Sequence, residues 1–294
     1  MPRLSIIILS YNTRKITLQC LKSIYASIGK KNNKDVEVIV IDNASTDGSV
    51  AALRLFKKAK SNFILVENKK NVGFPRGNDQ GVSLAKGEYL LFLNSDVIME
   101  KVDLDELLAY LDAHQNIGVL TVKVLLPSGK IDPASHRGFP NLWNSICYFS
   151  RLEKIFSRIP VLNRLFCGYH LSYLDLKTIH EIDSPSGAFY LTRRKIFDQV
   201  GGFDDRFFMY GEDLDLSFRI KKLGYKIVYY PLFRVTHIKY ASGLGQVREE
   251  TKKLTKNYFY EAMKVFYRKH YEKKMPFIIN RSVYFFIDLK HRLS

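Results

Sequence analysis

The chain has 294 residues, 46% of them hydrophobic and 26% charged, enough apolar content for one large domain or two fused lobes, with no internal repeat or low-complexity tract. No apolar run reaches the roughly 18 residues a membrane-spanning helix needs, and three scattered cysteines (Cys20, Cys147, Cys167) argue against a disulfide frame or a zinc site. With 46 Lys and Arg against 29 Asp and Glu, the net charge of +17 calls for an anionic partner, whether nucleotide, nucleic acid or acidic membrane.

Only Met1, Pro2 and Arg3 precede the first strand-like run, so no secretory signal is expected and cytoplasmic residence follows. That run, residues 5–9, leads into a periodic stretch carrying Ile16, Leu18, Leu21 and Ile24, which predicts a helix. Residues 36–41 are a second strand, 50–59 a second helix and 63–66 a third strand. Residues 71–81 read as a loop opening a short helix, whose glycines allow close backbone approach and whose Arg76 can face phosphate or base. It is neither GxGxxG nor a P-loop. Strands alternating with helices predict βαβ units in a mostly parallel sheet.

Two strand ends carry acids. Tyr89-Leu90-Leu91-Phe92-Leu93 stops at Asn94-Ser95-Asp96, at the strand edge where ligands gather in open α/β sheets. Asp96 can hold a divalent cation against a diphosphate, or simply end the strand in a turn. Asp42, followed by Asn43-Ala44-Ser45-Thr46-Asp47-Gly48, can hold a base edge or a ribose hydroxyl, while Asp47 or Ser49 caps the next helix. Further on, Gly211-Glu212-Asp213-Leu214-Asp215 opens a helix marked by Leu214, Phe218 and Leu223. Acids there complement the helix dipole, or one of them takes a proton from an attacking hydroxyl as general base. His237 follows strand-like runs at 226–230 and through Val235, and a single histidine there is structural or a ligand.

In order along the chain, Ser5-Ile6-Ile7-Ile8-Leu9-Ser10-Tyr11-Asn12, the Asp42 to Ser49 stretch, the 71–81 loop, Leu93-Asn94-Ser95-Asp96 and Gly211-Glu212-Asp213-Leu214-Asp215-Leu216 resemble family 2 glycosyltransferases, of the bacterial rhamnosyltransferase type, over residues 4–242. The resemblance implies a GT-A fold, with a Rossmann-like, mostly parallel sheet covered by helices on both faces. It implies a domain over 1–245, with its nucleotide half at 1–125 and its acceptor half at 126–245, followed by a basic helical extension over 246–294. Inverting transfer of rhamnose or another hexose from a dTDP- or UDP-linked donor to a saccharide, in bacterial cell-surface polysaccharide synthesis, is the implied reaction. By the same resemblance Ser10, Tyr11, Asp42, Arg76 and Asn94 bind the nucleotide, and Asp96 and His237 hold a divalent metal, Mg or Mn. Asp213 is the base, with Glu212 orienting it or touching the acceptor. Asn94 departs from the family, offering an oxygen without charge where many relatives have Asp. Ser242 completes the His237 pattern, with Tyr240 where glycine is frequent.

Residues 139–180 are rich in aromatics and bases, and Leu152, Ile155, Phe156 and Ile159 share a helical face that packs on the domain or meets acceptor or lipid. From Val247 onward twelve Lys or Arg face five Asp or Glu, a net of +7. Residues 277–289 make an apolar run suited to an anionic membrane surface or to docking on the core. A polyprenyl-diphosphate-linked acceptor at the inner face of the membrane suits this composition. A nucleotidyltransferase is the enzymatic alternative. An RNA-binding protein rests on charge alone, since residues 86–92 make a poor RNP1 match, and no nucleic-acid partner is expected.

Overall fold

The computed structural model describes residues 1–28, 34–239 and 249–293. The first half runs β1 (Leu4–Ser10), α1 (Arg14–Ile28), β2 (Val36–Asp42), α2 (Ser49–Lys58), β3 (Phe63–Glu67), α3 (Phe74–Leu84), β4 (Tyr89–Leu93), β5 (Val97–Glu100), α4 (Leu104–Ala113) and β6 (Ile117–Leu125). Three short helices follow, α5 (Leu142–Phe149), α6 (Leu152–Phe156) and α7 (Leu162–Phe166), then β7 (His180–Ile182), β8 (Phe189–Arg193) and α8 (Arg194–Gln199). The chain closes with α9 (Glu212–Lys222), β9 (Lys226–His237), α10 (Glu249–His270) and α11 (Phe277–Leu293).

Among the described residues the strands form one nine-stranded sheet in the order β3-β2-β1-β4-β8-β6-β9-β5, with β7 also on β9. The β3-β2-β1-β4 block is parallel, as βαβ crossovers require, and β6 runs parallel to β9. Antiparallel β8 joins the two blocks, and β5 reaches across to pair with β9, placing Val97 opposite His237. Both halves of the sequence therefore share one sheet, and the carboxyl ends of β1, β2, β4, β6 and β9 lie along one edge.

Parallel strands buried on both faces explain the unbroken apolar runs. Ile6, Ile8, Val38, Val40 and Leu91 pack with α1 and α4 on one face, while Ile7, Ile39, Ile41, Leu90 and Phe92 pack with α3, α8 and α9 on the other. Each such side chain stabilises the fold by about 1.5–3 kcal/mol. The glycines of α3 serve this packing. A Cβ at Gly81 would lie 2.5 Å from Ile7 Cγ2, and one at Gly77 would lie 2.4 Å from Leu9 Cδ1. The 71–81 segment is thus mostly helix, and Gly77 and Gly81 bring that helix onto β1.

Among the described residues after β9, the chain forms the α-helices α10 and α11. α10 closes a third apolar cluster, in which Ala262 and Phe266 meet Phe207 and Leu214. Beneath it the buried Asp215 binds Arg219, Lys269 and His270 at 2.6–2.8 Å. α11 packs antiparallel on α10 through Tyr267 to Asn280 and His291 to Asn257 hydrogen bonds.

Candidate active site

Asparagine amides lace the loops at the sheet edge together. Asn12, at φ +54° after β1, accepts the Thr46 amide at 2.7 Å, and Asn43, after β2, accepts the Val72 amide at 3.0 Å while donating to Asn71 at 2.7 Å. This lacing frames Asp42, which is fully buried. Its Oδ1 accepts the Ser45 amide at 2.8 Å, and its Oδ2 has no hydrogen-bond partner among the described residues. A buried oxygen left unpaired costs about 1–3 kcal/mol, so it suits a donor group on a ligand. Tyr11 leaves its ring 39% exposed beside this edge. Ser10 plays a different part. Its hydroxyl is buried against Thr13 and Thr17, at 3.3 and 3.2 Å, and Thr13 reaches Ser95 at 3.4 Å, bracing the β1 end against the β4 turn. Arg76 turns away to an exposed pair with Asp205 at 2.8 Å.

The β4 turn carries Asp96, buried, with Oδ1 3.2 Å from His237 Nε2. Asn94 Nδ2 lies 3.5 Å from the same ring nitrogen. His237 is set by a residue that the sequence did not single out: Asp132 Oδ2 sits 2.8 Å from its Nδ1 and takes Lys239 on its other oxygen at 2.8 Å. Burial works against the His237 charge, but the hydrogen bonds it donates to Asp132 and Asp96 outweigh it and push its pKa up to about 9. A histidine oriented by a carboxylate on one nitrogen and facing a second carboxylate with the other is a familiar ligand arrangement. Among the described residues no group of three or more His, Cys, Asp or Glu is arranged to hold a metal ion, so a divalent cation at Asp96 and His237 would draw most of its positions from phosphate oxygens and water, and His237 would have to release its proton to bind it. Ser242 and Tyr240 lie outside the described residues.

Glu212 and Asp213 open α9 after Gly211, whose φ of +78° turns the chain sharply into the helix. Asp213 is buried and doubly held: Leu214 N donates to Oδ1 at 2.7 Å and Arg137 to Oδ2 at 2.6 Å. Burial opposes the Arg137 charge, yet Asp213 and Tyr169 more than offset it and raise its pKa. Among the described residues, Arg137 Nε and Glu212 Oε2 are both buried without hydrogen-bond partners. Burial first, and Asp213 second, push the Glu212 carboxyl up to about 8. The third acid of this motif, Asp215, is taken up by the α10 ion pairs.

Two short segments join the acids. Asp132 anchors His237 and Arg137 anchors Asp213 only five residues on, a stretch that can span no more than about 18 Å. Residues 184–187 bridge from the other side: the Pro185 carbonyl accepts Arg137 at 3.3 Å, and a Cβ at Gly187 would lie 3.6 Å from Asn94 Oδ1. The distant motifs thus meet along one sheet edge. Asp132 and Arg137 carried no local signal, because their partners lie 105 and 76 residues away.

The profile of Glycosyl transferase family 2 matches residues 5–176, and that of Glycosyl transferase family group 2 matches 170–271. The chain belongs to glycosyltransferase family 2. Among curated members it is 28% identical to the N-acetylglucosaminyl-diphospho-decaprenol L-rhamnosyltransferase of Mycobacterium tuberculosis over 74% of this chain and 72% of that protein. It is also 28% identical to the rhamnosyltransferase WbbL of Escherichia coli, over 56% and 60%. Among solved structures, Staphylococcus aureus TarS superposes with a TM-score of 0.56 at 18% identity, covering 95% of this chain and 41% of TarS. The Pyrobaculum calidifontis mannosyltransferase PcManGT, solved with GDP-Man and Mn2+, superposes at 0.59 and 18% identity, covering 91% and 64%. The fold is GT-A, as the family resemblance implied, with a parallel first half and a mixed second half. This family 2 chain spans less than half the length of TarS.

Proposed function

We propose that this family 2 enzyme transfers rhamnose or another hexose, with inversion, from a dTDP- or UDP-linked donor to a polyprenyl-diphosphate-linked saccharide in cell-surface polysaccharide synthesis. The observation that carries the reading is the Asp132 to Arg137 segment, which ties the Asp96–His237 pair and Asp213 to one edge. The two rhamnosyltransferase relatives, one of them named for a decaprenol-linked acceptor, support the choice of sugar and acceptor.

Asp42 Oδ2 would accept a donor hydrogen from the nucleotide, with Tyr11 against its flat face. Asp96 and His237 would hold Mg or Mn, and Asn94 would offer an uncharged oxygen beside them. The ion supplies positive charge to the departing diphosphate. Asp213, pinned by Arg137 and its helix, would accept the proton of the acceptor hydroxyl as that oxygen bonds to the anomeric carbon. The bond from that carbon to the diphosphate breaks on the opposite face, releasing a nucleoside diphosphate. Glu212, its carboxyl pushed up to about 8, would hydrogen-bond the acceptor through the oxygen that has no partner among the described residues. A nucleotidyltransferase would release pyrophosphate and need no base at Asp213.

A panel of nucleotide sugars, scored for metal-dependent hydrolysis and thermal protection, tests this. A dTDP- or UDP-linked sugar should stabilise the enzyme and be hydrolysed to the nucleoside diphosphate. His237→Ala should lose the metal dependence of donor binding. Release of pyrophosphate, or no response to any nucleotide sugar, would remove the proposal.

A further inference from the structure

The two faces of α11 differ sharply. Asn280, Tyr284, Ile287 and His291 turn inward to α10, and Ile287 is buried. The opposite face carries Ile278 at 75% exposure, Phe285 at 61%, Phe286 at 64% and Leu293 at 76%, with Phe277 at 73% where the helix begins. Apolar surface of this kind, gathered on one helix face, marks an interaction site.

Charge identifies its occupant. The only acid in the sequence of α11, Asp288, pairs with Lys264 of α10 at 2.7 Å. Arg281, Lys290 and Arg292 are exposed, and Lys273 and Lys274 stand exposed just before the helix. Apart from the Asp288–Lys264 pair, the charged side chains of α11 are therefore basic, and they border a row of large apolar side chains. A protein surface of matching shape would bring acidic groups at fixed points, whereas a sheet of anionic headgroups over hydrocarbon complements the whole pattern. At 17 residues α11 is about 25 Å long, and no described helix is long and apolar enough to cross a membrane.

We propose that the outward face of α11 lies in the surface of an anionic bilayer, with Ile278, Phe285, Phe286 and Leu293 among the acyl chains and Arg281, Lys290 and Arg292 at the headgroups. The inference rests on the reading of a lipid-linked acceptor only for its purpose; the surface itself is independent of it. α10 places this face close to the reaction. Phe208 and Tyr210, on the loop leading to Glu212, pack against Tyr258 and Phe259 of α10, and the α11 end at His291 stacks on Tyr260. A bilayer under α11 would thus present lipid-linked saccharide near the α9 acids.

Cosedimentation of the full chain with vesicles tests the proposal. The protein should bind vesicles of equal parts phosphatidylcholine and phosphatidylglycerol, bind pure phosphatidylcholine weakly, and be released by salt. Phe285→Glu/Phe286→Glu should weaken that binding by about tenfold or more, and Arg281→Glu/Lys290→Glu should abolish the preference for phosphatidylglycerol. Both variants should keep the melting temperature and donor hydrolysis in solution. Wild-type protein indifferent to anionic vesicles, or a phenylalanine variant that binds them equally, overturns the proposal. So does a solution dimer that this variant dissociates, since a second copy would then cover the face. Vesicle binding by a protein that hydrolyses no nucleotide sugar supports the surface while overturning the proposed reaction.

Discussion

Arg137 and Asp213 make a nearly buried ion pair, and removing one partner leaves the other charge uncompensated, at a cost of about 3–5 kcal/mol. Arg137→Met should therefore lower stability strongly in denaturant unfolding, and adding Asp213→Asn should recover much of the loss. A double variant no more stable than Arg137→Met would show that the pair is not the reason. Asp213→Asn alone should keep nucleotide-sugar affinity and lose transfer by about 10²–10⁴-fold, as expected for a general base. Unchanged turnover would take Asp213 out of the reaction.

Glu212 gives a pH signature at the same scale. The groups facing it are Asp213 and Asp215 on its own helix, Arg137 from the neighbouring loop and Tyr210 before the turn. Its pKa rises from 4.5 to about 8 on folding, so its contribution to stability is full below about pH 4.5 and is lost as pH climbs towards 8. Stability from this group should fall steadily as pH climbs across that window. Glu212→Gln cannot ionise and should flatten the profile of melting temperature against pH. Parallel profiles for the two proteins would contradict the shift.

At the scale of elements, α3 shows how packing overrides local preference. Gly77, Gly81 and Asn78 lower helix propensity, so the segment reads as a loop opening a short helix, yet burial against β1 and β2 makes it 11 residues of helix. Gly81→Ala would favour the helix locally but drive a methyl into Ile7 and Ile41, branched side chains buried in the sheet. It should destabilise by about 1–3 kcal/mol, and Gly77→Ala by less, because its neighbour is the movable end of Leu9. Equal melting temperatures for Gly81→Ala and wild type would count against this packing. β9 is the opposite case. Pro231 divides its sequence into two runs, but 12 residues form one strand because a register shift against β6 falls between Val122 and Lys123, where Tyr230 gives way to Arg234. The parallel half was readable because its strands are short, mostly apolar runs stopped by polar residues, Ser10, Asp42, Glu67 and Asn94. The partners of His237 and Asp213 were not, because sheet topology rather than spacing brings Asp132 and Arg137 to them.

Across the whole molecule, the two C-terminal helices carry different duties. α10 covers Phe207 and Leu214 and supplies Lys269 and His270 to Asp215, a buried carboxylate one turn or less from the proposed base. Losing α10 would expose that cluster and strand Asp215 with Arg219 as its remaining partner in this set. α11 buries little of itself beyond Ile287, and its loss would uncover Tyr260 and Tyr267 while leaving the sheet and α9 intact. A chain ending at Pro276 should therefore stay folded and keep thermal protection by nucleotide sugar, whereas one ending at Gln246 should aggregate or melt far lower. That outcome would place the boundary of the catalytic unit after α10 rather than at residue 245. If the shorter chain proved as stable and as responsive to nucleotide as the longer one, the Asp215 cluster would not be what fixes α9, and the Glu212–Asp213 turn would have to owe its geometry to Arg137 and the 184–187 segment alone.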